Sequence, residues 1–432
     1  MVWGTDLARH VAAVVTTCAL GLGLVACGGG ESDDDSLVGN GDRAGITAAQ
    51  ARAQEQRILN QRARAVRAHD MGMFLRRVDH DDVRLMARQR RHFRNLVQLP
   101  WSAFGYRVLD QQWEGLAVAP SWGHDVDIPR VLLTTQLDGY DALPVERTVG
   151  FVFSFWKRRA TIVSDRTSTG KPLYEGQPAP WDLTAITARE DGGVLGIFDR
   201  RTRASASTVM GAVRSGIEEI DRALPFTWSG HVVVYSVANP GVLASFTDVP
   251  GGSLSHLGAL TFPTYAGNGR AQVASTRMLL MPRSVSAGQP FLDRITRHEL
   301  SHVAIGIRDD GAPAWVSEGV AEYLGAREIP KGDRIIPTSA LSRARTEDAG
   351  MPVSKTFNGE DQEWHYSLSW MACDYIADTG GESRLWELVD TMHNGGEGTS
   401  EAEQDRVLQQ VLGYASRELA RRAAARIRNL YG

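Results

Sequence analysis

His298-Glu299-Leu300-Ser301-His302, followed by Trp315-Val316-Ser317-Glu318-Gly319-Val320-Ala321-Glu322, is the stretch from which the rest of the chain is read. Two histidines four positions apart stand on one face of a helix, one turn above the other. At that spacing two imidazole nitrogens can grip one zinc ion. Glu299 points toward the same ion without needing to bind it, and is placed to take a proton from a water held there. With 11 histidines in 432 residues, a chance H-E-x-x-H is expected on the order of once in a hundred such chains.

Working outward, the pattern predicts a helix over 291–307 with an apolar face through Phe291, Leu292, Ile295, Leu300, Val303 and Ile307. Gly306 and the Asp309-Asp310-Gly311 turn end it, and Pro313 bars a quick restart. A second helix from near Ala314 carries Glu318 one turn in. The fifteen residues between His302 and Glu318 allow the chain to leave one helix, turn and return antiparallel. A catalytic zinc takes three protein ligands and keeps a fourth position for water. His298, His302 and Glu318 meet that requirement for one Zn2+ per chain. Glu322 lies on the same helix face as Glu318. It is the candidate carboxylate to accept the other ring N–H of a liganding histidine; the alternative is a carboxylate facing solvent.

Around this site the sequence reads as α+β. A helical pattern starts at Ile46 with Thr47 as N-cap, and two further helical pieces cover 70–78 and 82–96. Short strands follow at 104–109, 131–137, 148–156 and 159–164, with turns at Asp138-Gly139 and Lys157-Arg158. The charged groups His69-Asp70 and His80-Asp81-Asp82 read as helix caps and solvation. Residues 178–183 and a strand over 193–198 close this first domain, expected at 46–200. The second, 201–432, has a helix at 202–224, strands at 231–236 and 276–281, and helices thereafter. Within it, 276–281 is the strand expected to edge the site.

A net charge of -4 leaves no electrostatic footprint for nucleic acid, and the arginines near the C-terminus read as a solvated helix face. Arg9 and His10 precede an apolar run from Val11 to Ala26, shorter than the about 20 residues of a comfortable membrane span. This is a targeting segment. Leu24-Val25-Ala26-Cys27-Gly28 resembles the lipobox of bacterial lipoproteins. The resemblance implies a signal peptide over 1–26, a diacylglycerol on Cys27 and anchorage at the extracytoplasmic face of the cell membrane. An ordinary secretory signal or an uncleaved anchor is the alternative. Residues 27–45, rich in Gly, Ser and Asp, read as a flexible tether. Of three cysteines, only Cys373 remains for the folded part, so no internal disulfide is expected. It reads as a buried structural thiol.

H298-E-L-S-H302 with W315-V-S-E318-G-V-A-E322-Y resembles the gluzincin metallopeptidases, the thermolysin-like and aminopeptidase-N-like clan, over roughly 205–432. The resemblance implies hydrolysis of a peptide or protein substrate, with His298, His302 and Glu318 as zinc ligands and Glu299 as general base. It also implies a Tyr or His donor to the developing oxyanion from a later helix. Tyr366, ahead of a helix expected at 367–377, is the candidate; His365 is weaker, and simple packing of Tyr366 is the alternative. The chain departs from the clan twice: the Gly-x-Met-Glu-Asn motif of the aminopeptidases is absent, and the ligand spacing is shorter than theirs. Helices followed by antiparallel strands over 46–200 resemble the nuclear-transport-factor-2-like cone. Two other readings stay open. One is a catalytically inactive zincin-fold lipoprotein serving as a binding or scaffold module. The other is a peptidase acting only on a partner that the first domain captures.

Overall fold

In the computed structural model, which describes residues 45–432 apart from 248, 250–252, 268–271, 309–310, 347–349 and 395–399, the chain begins on a capped helix. Gln50 N–H donates to Thr47 Oγ1 at 3.3 Å, and Thr47 N–H donates to Gln50 Oε1 at 3.0 Å. This reciprocal box satisfies two of the donors that every helix start leaves open. The targeting segment, Cys27 and all but the last residue of the tether lie outside the described residues. No helix among the described residues is long and apolar enough to cross a membrane.

Helices α1 (Ala48–Arg67), α2 (Met71–Leu75) and α3 (Val83–Leu96) form one layer. Asp70 and Asp82 cap the second and third, accepting from Met73 N–H at 2.8 Å and from Leu85 N–H at 2.9 Å. Two antiparallel sheets follow, built from β1 (Trp101–Gln112), β2 (Val126–Asp127), β3 (Pro129–Leu137), β4 (Val145–Gly150), β5 (Val152–Trp156) and β6 (Arg159–Ser164). Their orders are β1-β3-β4 and β2-β5-β6. The single strand expected over 148–156 is therefore two strands in different sheets, with the crossing at Phe151.

After α4 (Pro180–Leu183) come β7 (Ile186–Asp191), β8 (Val194–Asp199), α5 (Ala206–Ala223), β9 (Val232–Ser236), α6 (Pro240–Leu243), β10 (Ala259–Tyr265) and β11 (Val273–Leu280). Helices complete the chain: α7 (Pro282–Ser286), α8 (Gln289–Ile305), α9 (Ala314–Ala326), α10 (Thr338–Thr346), α11 (Gln362–Gly380), α12 (Glu382–Asn394), α13 (Glu401–Leu412) and α14 (Ser416–Tyr431). One sheet runs β10-β11-β9-β8-β7, with β8, β9 and β11 parallel and both edge strands antiparallel.

Two expectations change here. The strand expected to close the first domain is β8, and it pairs in parallel with β9, which lies beyond the expected boundary at 200/201. The reason is burial on both faces. Leu195 and Ile197 join the core of the N-terminal unit, while Val194 and Phe198 join the core under the C-terminal helices. Val233 and Tyr235 of β9 divide from Val232 and Val234 in the same way, as do Leu279 and Met278 of β11. The sheet is thus a shared partition. The strand expected to edge the site, 276–281, lies up to Leu280 in β11, inside the sheet; the strand whose Thr261 reaches Glu299 is the sheet's edge, β10, which carries Pro263. Proline within a strand is tolerated only where its missing N–H is not needed.

A buried ion pair crosses between the halves. Arg277 of β11 donates to Asp141 Oδ1, in the β3–β4 connection, at 2.8 Å and to Tyr235 Oη at 2.6 Å. Ser275 Oγ donates to the same carboxylate at 2.6 Å, and Leu137 N–H donates to its other oxygen at 2.8 Å. With both partners buried, removing one strands the other's charge. Asp141→Ala is expected to cost about 3–5 kcal/mol, read as a lower midpoint in chemical denaturation. A change below 1 kcal/mol would show that water reaches Arg277.

Candidate metal centre

Helix α8 sits under the shared sheet because Leu292, Ile295, Leu300 and Ile305 on its flank are core residues. Helix α9 lies between α8 and α11, and its small residues let it approach both. A Cβ on Gly319 would stand 2.7 Å from the Ser369 carbonyl oxygen and 2.8 Å from Cys373 Sγ, so only glycine fits there. One on Gly325 would press on His298 Cβ at 3.3 Å. Cys373 is buried and free; burial pushes its thiol well above the ordinary value. It fills space against Gly319, as a structural thiol would.

This packing brings His298, His302 and Glu318 together, each buried, with one donor atom apiece within 4.8 Å of the others. His298 Nε2 lies 3.4 Å from Glu318 Oε2, and His302 Nε2 lies 3.6 Å from the same oxygen. Ligands about 2.1 Å from a tetrahedral zinc are about 3.4 Å apart. Two of the three edges therefore already have the spacing that zinc demands. The donor set, two imidazoles and a carboxylate, is one that zinc accepts. Among the described residues, no other group of histidine, cysteine and carboxylate side chains meets the same spacing.

Glu322 stands on the far side of the His298 ring. Its Oε1 lies 3.2 Å from His298 Nδ1, the atom left over when Nε2 faces Glu318. Arg294, one turn ahead of His298 on α8, pairs with the other oxygen of Glu322 and stacks on Trp370 at 4.8 Å. Burial works against the Glu322 charge, but Arg294 and His298 outweigh it and pull the carboxyl down to about 2. Burial likewise disfavours a charged His298, yet its bonds to Glu318 and Glu322 hold the imidazole up at about 9. Arg294 had no signal in the motif, because it is recognised only by what α9 presents to it.

Glu299 is fully buried. Its Oε2 accepts from Thr261 Oγ1 at 2.6 Å, and its Oε1 has no hydrogen-bond partner. Burial raises its pKa, partly offset by the two histidines and by Thr261. Thr261 belongs to β10, so sequence reasoning had no means of placing it here.

Tyr366 falls inside α11, which starts at Gln362, not ahead of that helix as expected. Its hydroxyl donates to Asn358 Oδ1 at 3.2 Å, and its ring packs edge-on against Phe357. His365 Nδ1 lies 2.8 Å from the Phe357 carbonyl oxygen. Tyr366 lines a cavity of about 1080 Å³ together with Arg294, Glu322 and Trp370. Of the residues around the metal group, Glu322 and Arg294 border this space, whereas His298, Glu299, His302 and Glu318 do not line it.

If Glu322 orients His298, then Glu322→Ala weakens zinc binding about 10–100-fold, measured by competition with a chromophoric chelator. Unchanged affinity in a folded variant would remove that role. No protein-family model and no curated protein sequence matches this chain.

Proposed function

We propose that this chain is a zinc-dependent metallopeptidase acting on a peptide or protein substrate, with a gluzincin-like arrangement in its C-terminal half. The carrying observation is Glu299: a buried carboxylate with one oxygen fixed by Thr261 and the other unpartnered, on the helix that supplies two of three ligand-type side chains gathered within 4.8 Å. Zinc held by His298, His302 and Glu318 would supply Lewis-acid activation. Oε1 of Glu299 is free to take the proton of an attacking water, and its raised pKa suits it to hand that proton to the leaving amine. Glu322, clamped by Arg294, keeps the His298 ring in place. Tyr366 is proposed to donate to the oxyanion, its alternative being a packing residue bonded to Asn358. The first half of the chain is proposed to be a nuclear-transport-factor-2-like unit, and Cys27 a lipid anchor at the extracytoplasmic face of the membrane.

One observation favours a second reading. The ligand side chains are 1–3 % exposed, and closed sites are typical of structural zinc. A zinc-holding binding or scaffold module would look like this. Glu299→Gln separates the two. For the peptidase, zinc content is unchanged while casein or peptide-library cleavage drops by about 10²–10⁴-fold. Zinc bound by both proteins with cleavage by neither supports the scaffold. Separately, Cys27→Ser is expected to shift the protein from the membrane to the soluble fraction; a variant that stays bound would refute the lipid anchor.

A further inference from the structure

Away from the metal centre, the N-terminal unit contains a half-open cavity of about 90 Å³ bordered by α3, β4 and the segment after β6. Four arginines line it, Arg88, Arg91, Arg147 and Arg166, against two aspartates, Asp165 and Asp182. That leaves a formal excess of two positive charges. Both aspartates are already engaged. Arg88 pairs with Asp165 Oδ1 at 2.9 Å, and Gln89 donates to its Oδ2 at 2.8 Å. Arg147 pairs with Asp182 at 2.5 Å, and Ala179 N–H donates to the same carboxylate at 2.9 Å. Arg91 and Arg166 have no carboxylate left among the described residues.

Arginine is abundant in this chain, and an unpaired arginine in water needs no explanation. Arg91 and Arg166 are each partly buried, and Arg166 donates from Nη1 to the Gly170 carbonyl oxygen at 2.8 Å. The Nε of Arg91 is buried and has no hydrogen-bond partner. Beneath the cavity, Arg62 is 1 % exposed and pairs with no carboxylate among the described residues. Its guanidinium lies 3.7 Å from the centre of the Phe74 ring and donates to Gln89 Oε1 at 2.5 Å, which links it to Asp165. Its Nε too has no partner. A cation taken out of water without a counter-charge is costly, and a buried donor with no acceptor adds to that cost. Burial, followed by the charge of neighbouring Arg166, pushes Arg91 below the ordinary arginine value.

We infer that this cavity is a binding site for a small oxyanion, a phosphate or carboxylate group, seated between Arg91 and Arg166. Planar guanidinium groups match the paired oxygens of both anion types. The space of about 90 Å³ is small, on the scale of a single phosphate or carboxylate group. The bound group supplies the acceptors that Arg91 lacks and offsets the excess charge that extends down to Arg62. The inference does not depend on the chemistry proposed for the metal centre, since none of its residues touches that site.

Calorimetric titration of the full chain with inorganic phosphate, and separately with acetate, tests this at ionic strength matched with sodium chloride. One-to-one binding of at least one anion is expected, weakened about tenfold or more in Arg91→Gln and similarly in Arg166→Gln. Binding of phosphate alone assigns a phosphate group, and binding of acetate alone assigns a carboxylate. Absence of binding by either anion overturns the inference. So does equal affinity in the wild type and both variants, which would place the anion elsewhere, the metal centre included. Arg91 is half-buried at a cavity mouth, and Arg166 provides a second reading if the first variant is unstable.

Discussion

Three carboxylates, Glu299, Glu318 and Glu322, are buried on two touching helices, and the surrounding structure answers their charge. An isolated carboxylate taken out of water costs several kcal/mol, so each needs a partner or a proton. Glu322 has Arg294 and His298. Glu318 has the two imidazoles. Glu299 has the Thr261 hydroxyl on one oxygen only, and burial raises its pKa. A divalent cation among His298, His302 and Glu318 would complete this balance.

That cluster exists because α9 can lie close to α8 and α11 at once. Gly319 follows Glu318 directly, and its missing side chain is what admits the Ser369 carbonyl and Cys373. A larger residue there would push α9 away from α11, and Glu318 would move with it. The geometry of the ligand group therefore rests on a packing contact that carries no charge at all.

The shared sheet couples the two halves more closely than a linker would. Successive residues of β8, β9 and β11 enter different cores, so neither unit can bury its apolar surface without the other. The Asp141–Arg277 pair adds a polar link across this boundary that is costly to break from one side. The metal-bearing helix and the arginine-lined cavity lie on opposite sides of this partition.

Local signals determined a good part of this. The i, i+4 histidines, Thr47, Asp70 and Asp82 as caps, and the α5, α8 and α9 helices were all legible in the sequence. Caps and one-face periodicity depend on neighbours within a turn or two. The α+β class was legible too, because elements of both types have their own periods. What tertiary structure decided was everything set by distant chain. β10 was hidden by Pro263, which only an edge position tolerates. β8 left its expected domain because two cores compete for its two faces. Thr261, Arg294 and the paired arginines around the small cavity have no spacing to betray them. They meet their partners across 38, 28 and 77 residues in the cases of Glu299, Glu322 and the Arg88–Asp165 pair, and only folding brings such groups within hydrogen-bond range.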